Sequence, residues 1–352
     1  MTPRERMERV FACQPVDRVP FIPAVYEQKA FFVNDTPSRV SRNAELFYRA
    51  MMKEYELYKA DGLVIGMDVY NVEAEALGSR VTYYDGDDTS IPGVGPGGHA
   101  IHFGDDLGTL KKLNPLKDGR MPINIEVARR LAPLHKEVLV RGSLSGPFSL
   151  AISLFGPEDF FLGTQDDPDY CKRAMEFCAD TIIAFGKAYI DAGVYTIMFD
   201  SQASPELLSP SVYEEMVLPS TQRIISTLKE YGDPYCPLII GGNTQTMIDA
   251  YIATGTKQVL CDFKADFQVF REKCTETKTA VRRNLNPLTL QKGTPQEIAK
   301  LAQRYLDEAE GMNGFILGTA VVPFGTPAEN VIAAREVAMK KILFIEDELD
   351  QI

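Results

Sequence analysis

The chain has 352 residues, 45% hydrophobic and 24% charged, which is ordinary usage for a folded protein with a sizeable core and argues against long disorder. Its formal net charge of −12 would repel a phosphate backbone, and no run of Lys and Arg interleaved with aromatics offsets it, so nucleic acid is excluded as a partner class. The six cysteines form no CxxC pair, which points away from a disulfide framework or zinc ribbon and toward reduced thiols in a cytoplasm.

The chain opens MTPRERMERVF, charged and without an apolar leader core. Nothing in it approaches the roughly 18 consecutive apolar residues of a membrane span. The expectation is therefore a cytoplasmic protein with no membrane association. Eight short apolar or β-branched runs then recur: Val19–Pro23, Gly62–Met67, Val138–Ser143, Val194–Asp200, Pro237–Gly242, Gln258–Asp262, Thr279–Asn284 and Gly314–Thr319. Runs such as LVIGM and YTIMF are apolar at successive positions, as strands covered on both faces require. Helix signals separate them. Asp167 to Asp191 is amphipathic and closes at Ala192-Gly193, while Ser209-Pro210, Thr294-Pro295 and Thr326-Pro327 each offer a hydroxyl N-cap followed by Pro, opening helices to Lys229, Glu308 and Met339.

Strand-then-helix repeated eight times predicts an α/β fold, a (β/α)8 TIM barrel forming a single domain over residues 1–352. Residues 1–18 and 37–60 read as added helices, the first an N-terminal helical extension. Asp85–Lys117, rich in Gly, Asp and Pro, reads as a long loop excursion over the barrel mouth.

Side chains at the C-terminal strand ends of a barrel converge on one mouth. After the second strand, Glu73 and Glu75 alternate with small apolar residues, which as extended chain would aim both carboxylates to one side. Close carboxylates cannot both ionise freely, so one would carry a raised pKa and serve as a proton donor; the alternative is a solvated loop or salt bridges. Asp200 ends YTIMFD, as a mouth acid or a helix N-cap. Asp68, Tyr70, Asn71, Asn243 and Asn284 are candidates for binding substrate. Arg282 or Arg283 would hold a ligand carboxylate or phosphate, or pair with Asp262 or Asp266. His99 and His102, in GGHAIHF, are a weak metal signal and read as loop residues, and His135 reads as a surface residue.

From Pro3 to about Met339 the sequence resembles the uroporphyrinogen decarboxylase superfamily, which includes corrinoid-dependent methyltransferases. The resemblance is carried by Asp17-Arg18-Val19-Pro20, Gly146 to Ala151, Ala192-Gly193, Asp200 with Ser204-Pro205 and Leu208-Ser209-Pro210, Gly242-Asn243-Thr244, Asn284-Leu285-Asn286-Pro287, and Gly325-Thr326-Pro327 with Glu329-Asn330. The decarboxylase's RQAGRY-like arginines are missing, and YEQKAFFVND stands in their place. That ranks methyl transfer above decarboxylation. Thiol-methylating members bind zinc through an HxC and a late Cys, whose positions here fall at Ile239, Gly241 and near Thr319. Zinc is thus not supported by the family's usual ligands, and no metal residue is assigned.

Tyr70 to Ala76 is similar to the YNxEAEA-like segments of O-demethylase methyltransferases, although the histidine that some of these carry downstream is absent after His135. The resemblance implies transfer of a methyl group from an aryl methyl ether or similar small donor to the cobalamin of a partner corrinoid protein. Glu73, Glu75 or Asp200 would protonate the leaving oxygen, and Asn71 and Asn243 would orient the substrate. Other readings left open are methylcorrinoid-to-tetrahydrofolate transfer, a decarboxylase-like enzyme and a non-catalytic barrel binding a tetrapyrrole or the corrinoid protein; homodimerisation is also left open.

Overall fold

A computed structural model describes residues 1–340, so residues 341–352 of the expected domain lie outside it. All eight expected strands form: β1 (Phe21–Ala24), β2 (Gly62–Ile65), β3 (Leu139–Ser145), β4 (Tyr195–Phe199), β5 (Leu238–Ile239), β6 (Gln258–Cys261), β7 (Ala280–Leu285) and β8 (Phe315–Val321). They make two parallel four-stranded sheets, in the orders β2-β3-β4-β5 and β1-β8-β7-β6.

The sheets meet at two seams. Between β1 and β2 the Asp61 N–H donates to Phe21 O (3.0 Å) and the Phe21 N–H donates back to the Asp61 carboxylate (2.8 Å). Between β5 and β6 the Tyr251 hydroxyl takes the place of a backbone ladder. It donates to Leu238 O (2.7 Å) and accepts from the N–H groups of Ile240 (3.0 Å) and Leu260 (3.2 Å). This is why β5 is only two residues long where the sequence reads Pro237–Gly242.

The barrel interior is layered. Ile22, Leu139, Ala280 and Ile316 form an apolar floor, sealed by Met7, Val10 and Phe11 from the helix Pro3–Phe11. Above them Ala24, Val64, Ile197, Phe199, Ile239 and Leu260 line the interior toward the mouth. The N-terminal helix is an extension, as expected. The helix Ala44–Tyr58 is not an addition, because it connects β1 to β2 and packs on the helices Met121–Leu131 and Ala328–Ala338 as an ordinary crossover.

The helix Pro168–Asp191 is capped by the Asp167 side chain, and Pro295–Glu308 opens on a Thr294–Glu297 capping box. The segment from Ser209 runs through a π-helical stretch, Tyr213–Val217, before the helix Leu218–Tyr231. Thr326 does not cap its helix; its hydroxyl donates to Pro323 O instead. The excursion begins as an antiparallel hairpin, Val81–Thr82 with Gly93–Val94, beside the mouth, and then runs along the barrel wall, where Phe103 packs on Phe155, Phe160 and Tyr170.

His135 corrects the sequence reading: it is buried, its Nδ1 accepts from the Val140 N–H (3.0 Å), and its ring meets Tyr195 edge-on. Desolvation holds its pKa down at about 4. All six cysteines are free thiols. Among the described residues no helix is long and apolar enough to cross a membrane.

Candidate active site at the barrel mouth

A cavity of about 230 Å³ opens at the C-terminal ends of the strands. Its walls are mostly apolar, with Ala24, Tyr26, Val69, Phe199, Ile239 and Leu260 continuing the interior layer upward. Ile91, from the tip of the excursion hairpin, also borders it. Polar groups enter at a few points only, the usual pattern of a small-molecule site.

Asp68, Tyr70, Asn71, Arg282 and Asn284 all line this cavity. Asp68 is gripped by both terminal nitrogens of Arg120 (2.8 Å each), and the buried pair keeps the guanidinium charged. The Tyr70 hydroxyl donates to Ser201 Oγ (2.8 Å), and burial pushes its pKa up to about 12. Asn71 ties the hairpin down, donating to Pro92 O (2.9 Å) and accepting from the Val94 N–H (3.3 Å).

Arg282 makes no ion pair with Asp262 or Asp266. Its Nη2 donates to Thr319 O (2.8 Å), while its Nε and the Oδ1 of Asn284 are buried without a partner. Arg283 turns outward to Glu308 and lies over the rings of Tyr305 and Phe267.

The three expected acids lie elsewhere. Residues Val72–Leu77 are helical, not extended, so positions two apart diverge by roughly 200° and Glu73 and Glu75 do not face one side. Glu73 is wholly buried and accepts from the Ser145 N–H (2.8 Å) and hydroxyl (3.1 Å); desolvation pushes its pKa up to about 7. Glu75 belongs to the Arg120 network, accepting from Arg120 Nε (2.6 Å) and the Tyr83 hydroxyl (2.5 Å).

Asp200 accepts from the Ser149 N–H (2.7 Å) in the first turn of the helix Pro147–Phe155 and so caps that helix from another element. Its other oxygen has no partner, and burial pushes its pKa up to about 6. Gly146 permits this approach, since a Cβ there would stand 2.2 Å from Asp200. None of Glu73, Glu75 and Asp200 borders the cavity. Nor does Asn243, whose side chain accepts from the Gln245 N–H.

Glu27 and Asp262 border the cavity and were not singled out as site acids. Glu27 is buried, and desolvation raises its pKa. Asp262 accepts from the Gly242 N–H (3.1 Å) and the Phe263 N–H (2.9 Å). The strand-end rule applied to every run would have found both, because Glu27 follows the first run by four residues and Asp262 ends the sixth.

Of the positions where the resemblance places zinc ligands, Ile239 and Gly241 border the cavity without side-chain donor atoms, and Thr319 Oγ1 accepts from the Ala24 N–H (3.0 Å). Among the described residues no group of three or more His, Cys, Asp or Glu side chains is disposed to hold a metal. These positions do not fit zinc.

Comparison with known proteins places this geometry among relatives. The sequence is 29% identical over 326 residues to methylcobamide:CoM methyltransferase MtbA of Methanosarcina acetivorans, covering 88% of this chain and 91% of that one. It is 27% identical over 299 residues to a uroporphyrinogen decarboxylase of Syntrophotalea carbinolica, covering 82% of each. The fold matches that of a methyltransferase from Methanosarcina mazei with a TM-score of 0.83 at 22% identity, over 96% of this chain and 98% of the other. The family profile described as uroporphyrinogen decarboxylase (URO-D) matches residues 2–340; the chain belongs to that family.

Proposed function

We propose that the protein is a corrinoid-dependent methyltransferase that removes a methyl group from an aryl methyl ether or similar small donor, with the corrinoid carried by a partner protein over the barrel mouth. The observation that carries this reading is the cavity. At about 230 Å³ it is below the roughly 300–1,000 Å³ of drug-sized sites, suiting a small donor rather than a tetrapyrrole. Corrinoid-dependent methyl transfer is supported by relatives bearing the names methylcobamide:CoM methyltransferase and methylated-thiol–coenzyme M methyltransferase. Ile239 and Gly241, which offer no side-chain atom to zinc, favour an ether donor over the thiol chemistry of those relatives.

The corrinoid, when bound, supplies the nucleophile for the methyl carbon. As the methyl–oxygen bond breaks, its electron pair stays on the aryl oxygen, a poor leaving group unless it receives a proton. Glu27 is the cavity acid placed for this, since burial favours its protonated form. Tyr70, Arg282 and Asn284 orient the donor, and the apolar walls exclude water. Glu73, Glu75 and Asp200 are positioning residues, holding Ser145, Arg120 and Ser149 respectively.

The test is incubation with a reduced corrinoid protein and a panel of aryl methyl ethers, following methylcorrinoid absorbance. Glu27→Gln should lower kcat roughly 100-fold with KM little changed, and Glu27→Asp should recover part of it. Absence of methylation from every ether, together with transfer from methylcobalamin to a thiol or tetrahydrofolate, would replace this reading by the reverse half-reaction. Carbon dioxide release from uroporphyrinogen would replace it by decarboxylation.

A further inference from the structure

Arg141 stands in the middle of β3, in register with Val64 and Tyr195. It shares the inward face with Val64, an interior residue, and so points into the barrel between the floor and the cavity. Nothing in the fold answers it. It is 1% exposed, and its Nε, Nη1 and Nη2 all lack an acceptor. Of the two acidic groups whose fields reach it, the Tyr26 phenol makes no hydrogen bond to it, and Asp233 is occupied by the N–H groups of Thr196, Tyr235 and Cys236 and by the Thr196 hydroxyl.

A second guanidinium, Arg282, is near enough to oppose the first electrostatically, and its own Nε is also unpartnered. Two glycines give the pair room: a Cβ at Gly62 would stand 3.2 Å from Arg141 Nη2, and one at Gly318 only 2.4 Å from Arg282 Nε. A buried, unpaired guanidinium is among the costliest arrangements in a protein. Burial pushes the Arg141 pKa down to about 10, which leaves it charged at neutral pH. An anion is what would balance it.

We propose that Arg141 and Arg282 hold one small monovalent anion inside the barrel, below the cavity. The shared chemistry is that of a halide or a carboxylate, and it has two sources, a free inorganic ion or the acid group of a donor reaching down from the cavity past Arg282. The site does not depend on the methyl-transfer reading, because its test needs no turnover.

Crystals of the full chain soaked in bromide should show an anomalous peak within hydrogen-bonding distance of Arg141. In solution, chloride titrated against gluconate at constant ionic strength should raise the thermal midpoint by roughly 2 °C per tenfold, and Arg141→Met should abolish the rise. Where that variant fails to fold, Gly62→Ala, which narrows the site, should blunt the response. If benzoate displaces the bromide while anisole does not, the resident anion is the donor's carboxylate; if neither does, it is the inorganic ion. No halide peak at Arg141, together with a midpoint indifferent to chloride and benzoate, would overturn the proposal.

Discussion

The two ends of the barrel treat polar groups in opposite ways. At the floor the carboxylate of the β1–β2 seam is fully answered, and the Arg141 guanidinium, one layer higher, is a buried charge without a partner. Asp61, fully buried, accepts from Arg6 Nη1 (2.5 Å), from both terminal nitrogens of Arg18 (2.8 and 2.9 Å) and from the Phe21 N–H (2.8 Å), with Asp17 taking the remaining guanidinium edge of Arg6. Toward the mouth, Asp200 Oδ2, Arg282 Nε and Asn284 Oδ1 are buried without partners. Buried polar atoms are nearly always paired, and of these unmatched ones Arg282 Nε and Asn284 Oδ1 belong to residues that border the cavity, where a ligand could answer them. The floor end stabilises the fold, and the mouth end is where the proposed methyl donor would bind.

The strongest way to break the comparison is at the floor. Asp61→Ala would leave Arg6 Nη1 and the Phe21 N–H without their acceptor, reduce Arg18 to its bond with Val19 O, and open the β1–β2 seam. A stability loss of about 3–5 kcal/mol is expected by urea denaturation, with donor binding by the surviving folded protein unchanged. A loss under about 1 kcal/mol would show that the floor network is not what closes the barrel.

The next effect is pH-dependent and comes from behind the mouth. Burial raises the Glu73 carboxyl from its ordinary 4.5 to about 7. Between those values the folded chain keeps a proton that the unfolded chain has released, so stability falls as pH rises through that window. The full shift corresponds to roughly 3 kcal/mol. Glu73→Gln removes this titration and should reduce the stability difference between pH 5 and pH 8, leaving the part that belongs to Glu54 and Asp200. Urea midpoints with the same pH slope in both proteins would assign the dependence to another group, such as Glu54, whose buried carboxyl also rises to about 7.

The eight strands were legible because a strand covered on both faces must be apolar at successive positions, a demand local to each run. What failed was local in a different way. The alternation Glu73-Ala74-Glu75-Ala76 suits a strand or a short helix equally, and the choice was made by tertiary packing of Val72, Ala74, Ala76 and Leu77 into the core. His135 lies in a short 3-10 turn just before β3, and only the return of the chain to Val140 buries it. Arg141 carried a signal that went unread: a charge inside the apolar run VLVRGS has no aqueous face to reach. Glu27 lay within reach of the strand-end rule, four residues past the first run, but only the tertiary fold buries it beside the cavity.

The smallest expected effect tests whether the mouth is shaped by the excursion at all. Asn71 holds the hairpin through two half-buried hydrogen bonds, and that hairpin brings Ile91 to the cavity edge. Each such bond contributes about 1 kcal/mol, so Asn71→Ala should cost little more than that in urea, far less than Asp61→Ala. Its signature belongs in binding: KM for the methyl donor should rise several-fold while kcat is held, since Glu27 and Arg282 are untouched. Asn71→Asp keeps the acceptor for the Val94 N–H but loses the donor to Pro92 O, and should fall between. A KM unmoved by Asn71→Ala would mean that the hairpin rests on the barrel without shaping the site, and that the mouth is built by the strand ends alone.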